Sequence, residues 1–295
     1  MKYDIAIVIP CYNEEENINE LYESIVNSIK KSDKIKKYKL YIFNDCSTDN
    51  TLHEIKEIDD KNIVIINGTR KMGKSAGLEI AFNIIPKDVD LVFMMDADLQ
   101  DDPKEFDNFI KNIEKGYDLV SGYKKIRYDS LEKRLASKLY NKILNLVFNM
   151  NLHDHNCGFK CFRRDALSNL KIYENLHRFI TVFINSYGLE VSEIEVKHHK
   201  RKHGKSKYGI SRYFIGLKDI IKVKFILDHD KKSWIVNDLF VNSILLLITY
   251  FLNKNLAIIF FILMISIYII LMLNLKKYKN FTCNKIKCFE LINYK

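Results

Sequence analysis

The six cysteines of this 295-residue chain include no spaced pair of Cys-x-x-Cys units, and Cys157 with Cys161 lacks the spacing and partner ligands of a zinc site. No signal-peptide pattern precedes Tyr3, so reduced thiols in a cytosolic setting are expected rather than disulfides. No nucleic-acid-binding module is recognisable, although basic runs near Tyr208 and Tyr213 have the composition to grip a backbone; no nucleic-acid partner is expected. Two absences are local. The stretch 197–207 carries Lys197, Lys200, Arg201, Lys202, Lys205 and Lys207 without one acid, and the stretch 256–275 carries no charge at all.

What is present allows a full core, since 47% of residues are hydrophobic, and 295 residues suffice for one large domain with an appendage. The 47 Lys and Arg against 37 Asp and Glu, a net charge of +10, favour an anionic partner such as a phosphorylated substrate or an acidic membrane surface. Strand and helix patterns alternate through the first half, as in an α/β sheet with parallel strands. Residues 5–9 read as a buried strand stopped by Pro10. A helix follows with Ile18, Leu21, Ile25 and Ile29 on one face, begun by Asn13 and Glu16 as a capping-box-like pair. Further strands are expected at 38–43, 63–66, 90–95 and 119–121, with short ones near Phe159 and at 191–196.

The C-terminal part differs in kind. Residues 256–275 are broken only by Ser266, Tyr268 and Asn274, and at 1.5 Å per residue such a helix crosses roughly 30 Å of hydrocarbon. With the shorter run 239–252 and the polar link at 253–255 it reads as a transmembrane hairpin. Basic flanks at 218–232 and 276–279 place both ends in the cytoplasm. The expected division is a catalytic domain at 1–227, ending in an interfacial helix at 210–227 that lies on an anionic leaflet. A juxtamembrane linker at 228–238, the hairpin at 239–275 and a cytoplasmic tail at 276–295 complete it. The chain is thus expected in the cell membrane, multi-pass, with its catalytic domain cytoplasmic.

The most informative short segment is 92–100, where an apolar strand runs into Asp96, Asp98 and Gln100. Carboxylates just past a strand end can hold a hard divalent cation and through it a diphosphate. A rival motif is Gly68-Thr-Arg-Lys-Met-Gly73-Lys74-Ser75, which fits the phosphate-cradling P-loop pattern, with Lys74 on terminal phosphates, Ser75 on magnesium and Asp96 as the second-motif aspartate. Its position after the third strand and its bulky interior count against that reading.

Taken together, 9–18, Asn44-Asp45-Cys46-Ser47-Thr48-Asp49 and Asp96-Ala97-Asp98-Leu99-Gln100-Asp101-Asp102-Pro103 resemble the family 2 glycosyltransferases, most of all the polyprenyl-phosphate enzymes related to dolichol-phosphate mannosyltransferase. Residues 121–129, Asn156-Cys-Gly-Phe-Lys160, His177-Arg178-Phe179 and 201–209 continue the match. The resemblance implies a GT-A (Rossmann-like nucleotide-sugar-binding) α/β domain that transfers a hexose, with inversion, from a nucleotide sugar of the UDP-glucose or GDP-mannose type to polyprenyl phosphate.

By the same resemblance Asp45 contacts the nucleotide base, while Pro10, Tyr12 and Glu14 line its pocket. Asp96, Asp98 and Gln100 hold Mg²⁺ or Mn²⁺, and Asp98, Arg127 and Arg201 act at the reacting centre. Lys124, Arg134, Ser137 and Lys207 face the phosphates. Asn44 and Cys46 depart from the family's usual Asp and Gly. The resemblance leaves room for a homo-oligomer. The chemistry agrees: a phosphate monoester with a second pKa near 6 is already anionic at neutral pH, so no general base has to deprotonate the acceptor.

Overall fold

The computed structural model describes residues 1–125, 131–168, 170–172, 175–199, 202, 211–229 and 289–292. Arg127, Arg201, Lys207, residues 230–238 of the expected linker and the hairpin at 239–275 lie outside the described residues, while 228–229 are helical. Among the described residues no helix is long and apolar enough to cross a membrane. The chain divides into two compact units, Met1–Phe214 with Asn284–Lys295, and Ile215–Cys283.

The first unit is built on one sheet. Strands β1 (Tyr3–Cys11), β2 (Ile35–Asn44), β3 (Ile63–Gly68) and β4 (Leu91–Met94) are joined through helices α1 (Ile18–Lys31), α2 (Thr51–Glu57) and α3 (Lys74–Ile84). Then come α4 (Phe106–Ile113), β5 (Leu119–Tyr123), α5 (Leu131–Phe148), β6 (Lys160–Arg163), α6 (Ile180–Ser186) and β7 (Val191–Glu195). Helix α7 (Ser211–His229) straddles the unit boundary, and β8 (Phe289–Ile292) returns to the sheet. The strand order is β7-β5-β6-β4-β1-β2-β3-β8, with β1 parallel to both β2 and β4, and with β6 and β8 antiparallel to their neighbours.

Both faces of the central strands are buried, which explains why they read as continuous apolar runs. Ile5, Ile7 and Ile9 of β1 meet Leu21, Ile25 and Ile29 of α1 and the aromatic cluster Phe93, Phe106, Phe109 and Phe159. On the other face α3 packs so closely that a Cβ at Gly77 would fall 1.9 Å from the Phe43 ring. Along the chain β1 leads to β2 and β3 on one side, and the chain then crosses to β4 on the other. The switch point lies between β1 and β4, where open α/β sheets bind ligands beyond the strands' carboxyl ends.

Three expectations need correction. The first strand is not stopped by Pro10 but runs to Cys11, with Pro10 opposite Phe43 of β2. Val8 accepts the Met95 N–H on the β4 side and Cys11 accepts the Asp45 N–H on the β2 side. By alternation Pro10 turns its missing donor toward β4, whose pairing with β1 has already ended at Val8. Asn13 does not cap α1: its side chain binds Thr48 and the helix begins at Ile18. Residues 289–292, read as part of a tail, form an edge strand on β3.

Helix α7 bears out helical structure over most of 210–227. Within it Ile220, Val223, Phe225 and Ile226 are buried, Ile221 is exposed, and Lys222 pairs with Asp219 at 3.4 Å.

Candidate active site

The loops after β1, β2 and β4 surround the switch point, and each contains a non-glycine residue in the left-handed region: Asn13 (φ 53°), Cys46 (φ 56°) and Leu99 (φ 60°). Such a conformation costs a side-chain-bearing residue roughly 1–2 kcal/mol, and clustering of that strain is a mark of functional loops. At Leu99 it reverses the chain between Asp98 and Gln100. The Gln100 carbonyl then accepts the His199 N–H at 2.9 Å, and its amide nitrogen lies 3.3 Å from both the His198 ring and the His199 carbonyl. The carboxylate-bearing turn is thereby tied to the start of the basic segment.

Asp98 is buried, and its Oδ1 accepts the Gln100 N–H at 3.2 Å. Asp96 is half-buried; its N–H donates to Asp101 Oδ2, and its carboxylate accepts a hydrogen bond from the Lys74 ammonium. Burial alone would raise the Asp96 carboxyl, but Lys74, assisted by Lys124 and His177, more than offsets it and holds the group down at about 2. Lys124 sits 3.4 Å from Asp101 Oδ1; burial opposes its charge, and Asp101, Cys157 and Asp96 overcome that and keep it protonated. Beneath them the buried Lys160 donates to Ser121 Oγ (2.7 Å) and to the His155 carbonyl (3.3 Å), and burial lowers its pKa.

On the other side of the crevice Asp45 accepts the N–H groups of Met72 (2.7 Å) and Gly73 (3.0 Å). Burial raises its carboxyl, and those two donors with Lys71 pull the other way. The Lys71 ammonium lies 3.5 Å above the Tyr12 ring centroid, a cation–π contact. Glu14 accepts from Asn17 Nδ2 at 2.7 Å, and its N–H donates to Thr51 Oγ1.

These contacts give the P-loop reading no support. The loop 68–73 commits the N–H groups of Met72 and Gly73 to the Asp45 carboxylate, whereas a P-loop turns such amides onto phosphate. Ser75 is paired with His177, its Oγ 2.9 Å from the ring Nδ1.

The structure thus brings Asp96, Asp98, Gln100 and Lys124 together on one side of the switch point, and Asp45 with Tyr12 on the other, Pro10 lying in β1 just before the crevice. Arg134 is exposed on α5 and Ser137 buried there. Sequence reasoning gave no role to Asp101, His198 or Gly158. The β4–β6 register, Met94 against Lys160, carried two places further sets Gly158 opposite Asp96, and a Cβ there would fall 2.4 Å from Asp96 Oδ2.

The donor set fits a hard divalent cation. Asp96 already accepts a positive charge, and Mg²⁺-type sites commonly use one or two carboxylates completed by substrate phosphates and water. Among the described residues no group of three His, Cys, Asp or Glu is arranged to hold a metal.

The profile for glycosyl transferase family 2 matches residues 6–171. The undecaprenyl-phosphate 4-deoxy-4-formamido-L-arabinose transferase of Proteus mirabilis (strain HI4320) is 32% identical over 197 residues, covering 66% of this chain and 59% of that protein. The protein of the same name from Shewanella sediminis (strain HAW-EB3) is 32% identical over 198 residues, covering 66% and 58%. The chain spans about three fifths of the length of these curated relatives. Among solved structures, glucosyl-3-phosphoglycerate synthase from Mycobacterium tuberculosis in complex with Mn²⁺, uridine-diphosphate and phosphoglyceric acid superposes with a TM-score of 0.56 at 15% identity, over 76% of this chain and 78% of that one, a likeness of fold. By the match over more than half its length, the chain belongs to glycosyl transferase family 2.

Proposed function

We propose that this chain transfers a sugar, of hexose type, from a nucleotide sugar to polyprenyl phosphate at the cytoplasmic face of a membrane. The observation that carries the reading is the pair Asp96 and Asp98 at the sheet's switch point, faced by Lys74 and Lys124. The names of the curated relatives support the lipid-phosphate acceptor.

Asp96 and Asp98, with Gln100 beside them, would hold Mg²⁺ or Mn²⁺. When bound, such an ion neutralises charge on a departing nucleoside diphosphate. Tyr12, Glu14, Pro10 and Asp45 would seat the nucleotide. Lys124, Arg127, Arg134, Ser137, Arg201 and Lys207 would align the acceptor phosphate for in-line attack at the anomeric carbon, a positioning task that requires no general base.

Membrane attachment is supported by the uncharged run 256–275 and by α5. That helix exposes Leu135, Leu139 and Leu146 among exposed Arg134, Lys138 and Lys142, as suits an anionic bilayer surface.

Membranes bearing the full chain, given undecaprenyl phosphate and a panel of nucleotide sugars with Mg²⁺ or Mn²⁺, should yield a glycosylated lipid phosphate detectable by mass spectrometry. UDP-glucose, GDP-mannose and a 4-deoxy-4-formamido-L-arabinose donor belong in that panel. Asp98→Ala should lower the yield at least ~100-fold with the fold intact. No product with any donor excludes the activity, and an undiminished Asp98→Ala enzyme excludes the metal role.

A further inference from the structure

Lys74 is the first residue of α3, and its root is fixed from two sides. The preceding Gly73 N–H is held by Asp45, and the following Ser75 is bonded to both the ring and the backbone N–H of His177. From that anchored base its flexible arm reaches Asp96, and both partners keep solvent contact, with 26% of the Lys74 side chain and 36% of the Asp96 side chain exposed. The ion pair is therefore at the mouth of the crevice, where either partner can be exchanged.

We propose that Lys74 is an exchangeable counter-ion: it neutralises Asp96 while the crevice is empty and passes to the diphosphate of the incoming donor when Asp96 takes up a divalent ion. The proposal rests on the function given above and adds the order of charges within it. A lysine suits the task because its ammonium is a compact point charge on a flexible stem, able to serve a carboxylate or a phosphate without the fixed fork of arginine.

The consequence is a coupling of two binding events through one side chain. For a divalent ion alone, Lys74 must give up Asp96 with no anion to receive it. With a nucleoside diphosphate present, Lys74 has a second anionic partner within the same crevice. Metal and nucleotide therefore bind more tightly together than apart, each by the same factor on the other. Lys124 also lies near Asp96, but its direct ion-pair partner is Asp101, at 3.4 Å.

The test is titration of Mn²⁺ into the purified full chain, with bound and free ion distinguished by electron paramagnetic resonance, in the presence and absence of UDP or GDP. Lys74→Met should bind Mn²⁺ at least tenfold more tightly than the native chain when no nucleotide is present. The better nucleotide should improve Mn²⁺ affinity at least tenfold in the native chain and by a clearly smaller factor in Lys74→Met, where only direct coordination of the ion by the diphosphate couples the two. Lys74→Arg, which keeps the charge, should retain weak Mn²⁺ binding in the absence of nucleotide. Saturable Mn²⁺ binding with the same affinity in native chain and Lys74→Met, or equal nucleotide enhancement in both, overturns the counter-ion role while leaving the proposed function standing. Absence of saturable Mn²⁺ binding from every variant overturns both.

Discussion

At Gly158 a missing side chain decides where a carboxylate can point. An alanine Cβ there would lie 2.4 Å from Asp96 Oδ2 and 2.8 Å from its Cγ, so the Asp96 side chain must swing away. The displaced atoms belong to the end of a half-exposed side chain, so the cost falls on geometry and not on the core. Gly158→Ala is expected to melt within a few degrees of the native protein while Mn²⁺ affinity and sugar transfer both drop about tenfold or more, since ~1 Å of misplacement at a reacting centre can cost ~100-fold. Unchanged transfer would mean that Asp96 does not act from its observed position. Asp45, Asp96 and Asp98 were legible in the sequence because each sits in a short motif at a strand end. The partnership of Asp96 with Gly158 was not, because it depends on an antiparallel register between strands more than sixty residues apart. Lys74 and Asp96 were both visible as motif residues, but their direct ion pair is a tertiary contact between the start of α3 and the end of β4 that neither motif states.

Helix α5, which carries Arg134 and Ser137, is stitched to the loop before β6 by polar side chains. Asn141 and Asn145 donate to the carbonyls of His153 and Leu152, and the fully buried His155 ring bridges Asn145 Oδ1 (2.8 Å) and Thr181 Oγ1 (3.1 Å). Burial, with Lys160 nearby, pushes the His155 pKa down to about 4 against a partial opposing effect of Asp154. Between about 6.5 and about 4 the unfolded chain therefore binds a proton that the native chain excludes. Stability contributed by neutral His155 is present above pH 6.5 and is lost as pH falls through that window, by at most about 3 kcal/mol. Urea midpoints from pH 7 to 4.5 should fall accordingly, and His155→Asn should show a shallower fall; identical slopes would count against it.

At this scale the 3.6-residue period located α1 and the apolar runs located five strands. The start of α1 was misplaced because Asn13 bonds Thr48, a contact 35 residues away that outcompetes a local cap. Strand β8 escaped notice because four residues, Phe-Glu-Leu-Ile, carry too little pattern to announce a strand without β3 beside them.

For the whole molecule the pairing of β8 with β3 constrains the path of everything between. The chain leaves the first unit after Phe214 and rejoins it at Asn284, where Phe289 and Ile292 stand opposite Gly68 and Ile65. Under the membrane attachment proposed above, a single crossing by 256–275 would put β8 on the far side from its own partner strand, so that proposal requires an even number of crossings. In the proposed membrane-attached chain the run 239–252 would supply the second crossing. As a helix its fourteen residues would span about 21 Å, short of roughly 30 Å of hydrocarbon, and the proposal then requires flanking polar residues or local thinning of the bilayer to make up the difference. The basic flanks on both sides of 239–275 agree with two cytoplasmic ends. In intact cells expressing the full chain, a membrane-impermeant maleimide should therefore label Lys254→Cys, while Cys283 and Cys288 react only after permeabilisation. Labelling of Cys283 or Cys288 from outside would break the β8 pairing, and protection of position 254 until permeabilisation would leave the hydrophobic runs on one side of the bilayer, without a crossing.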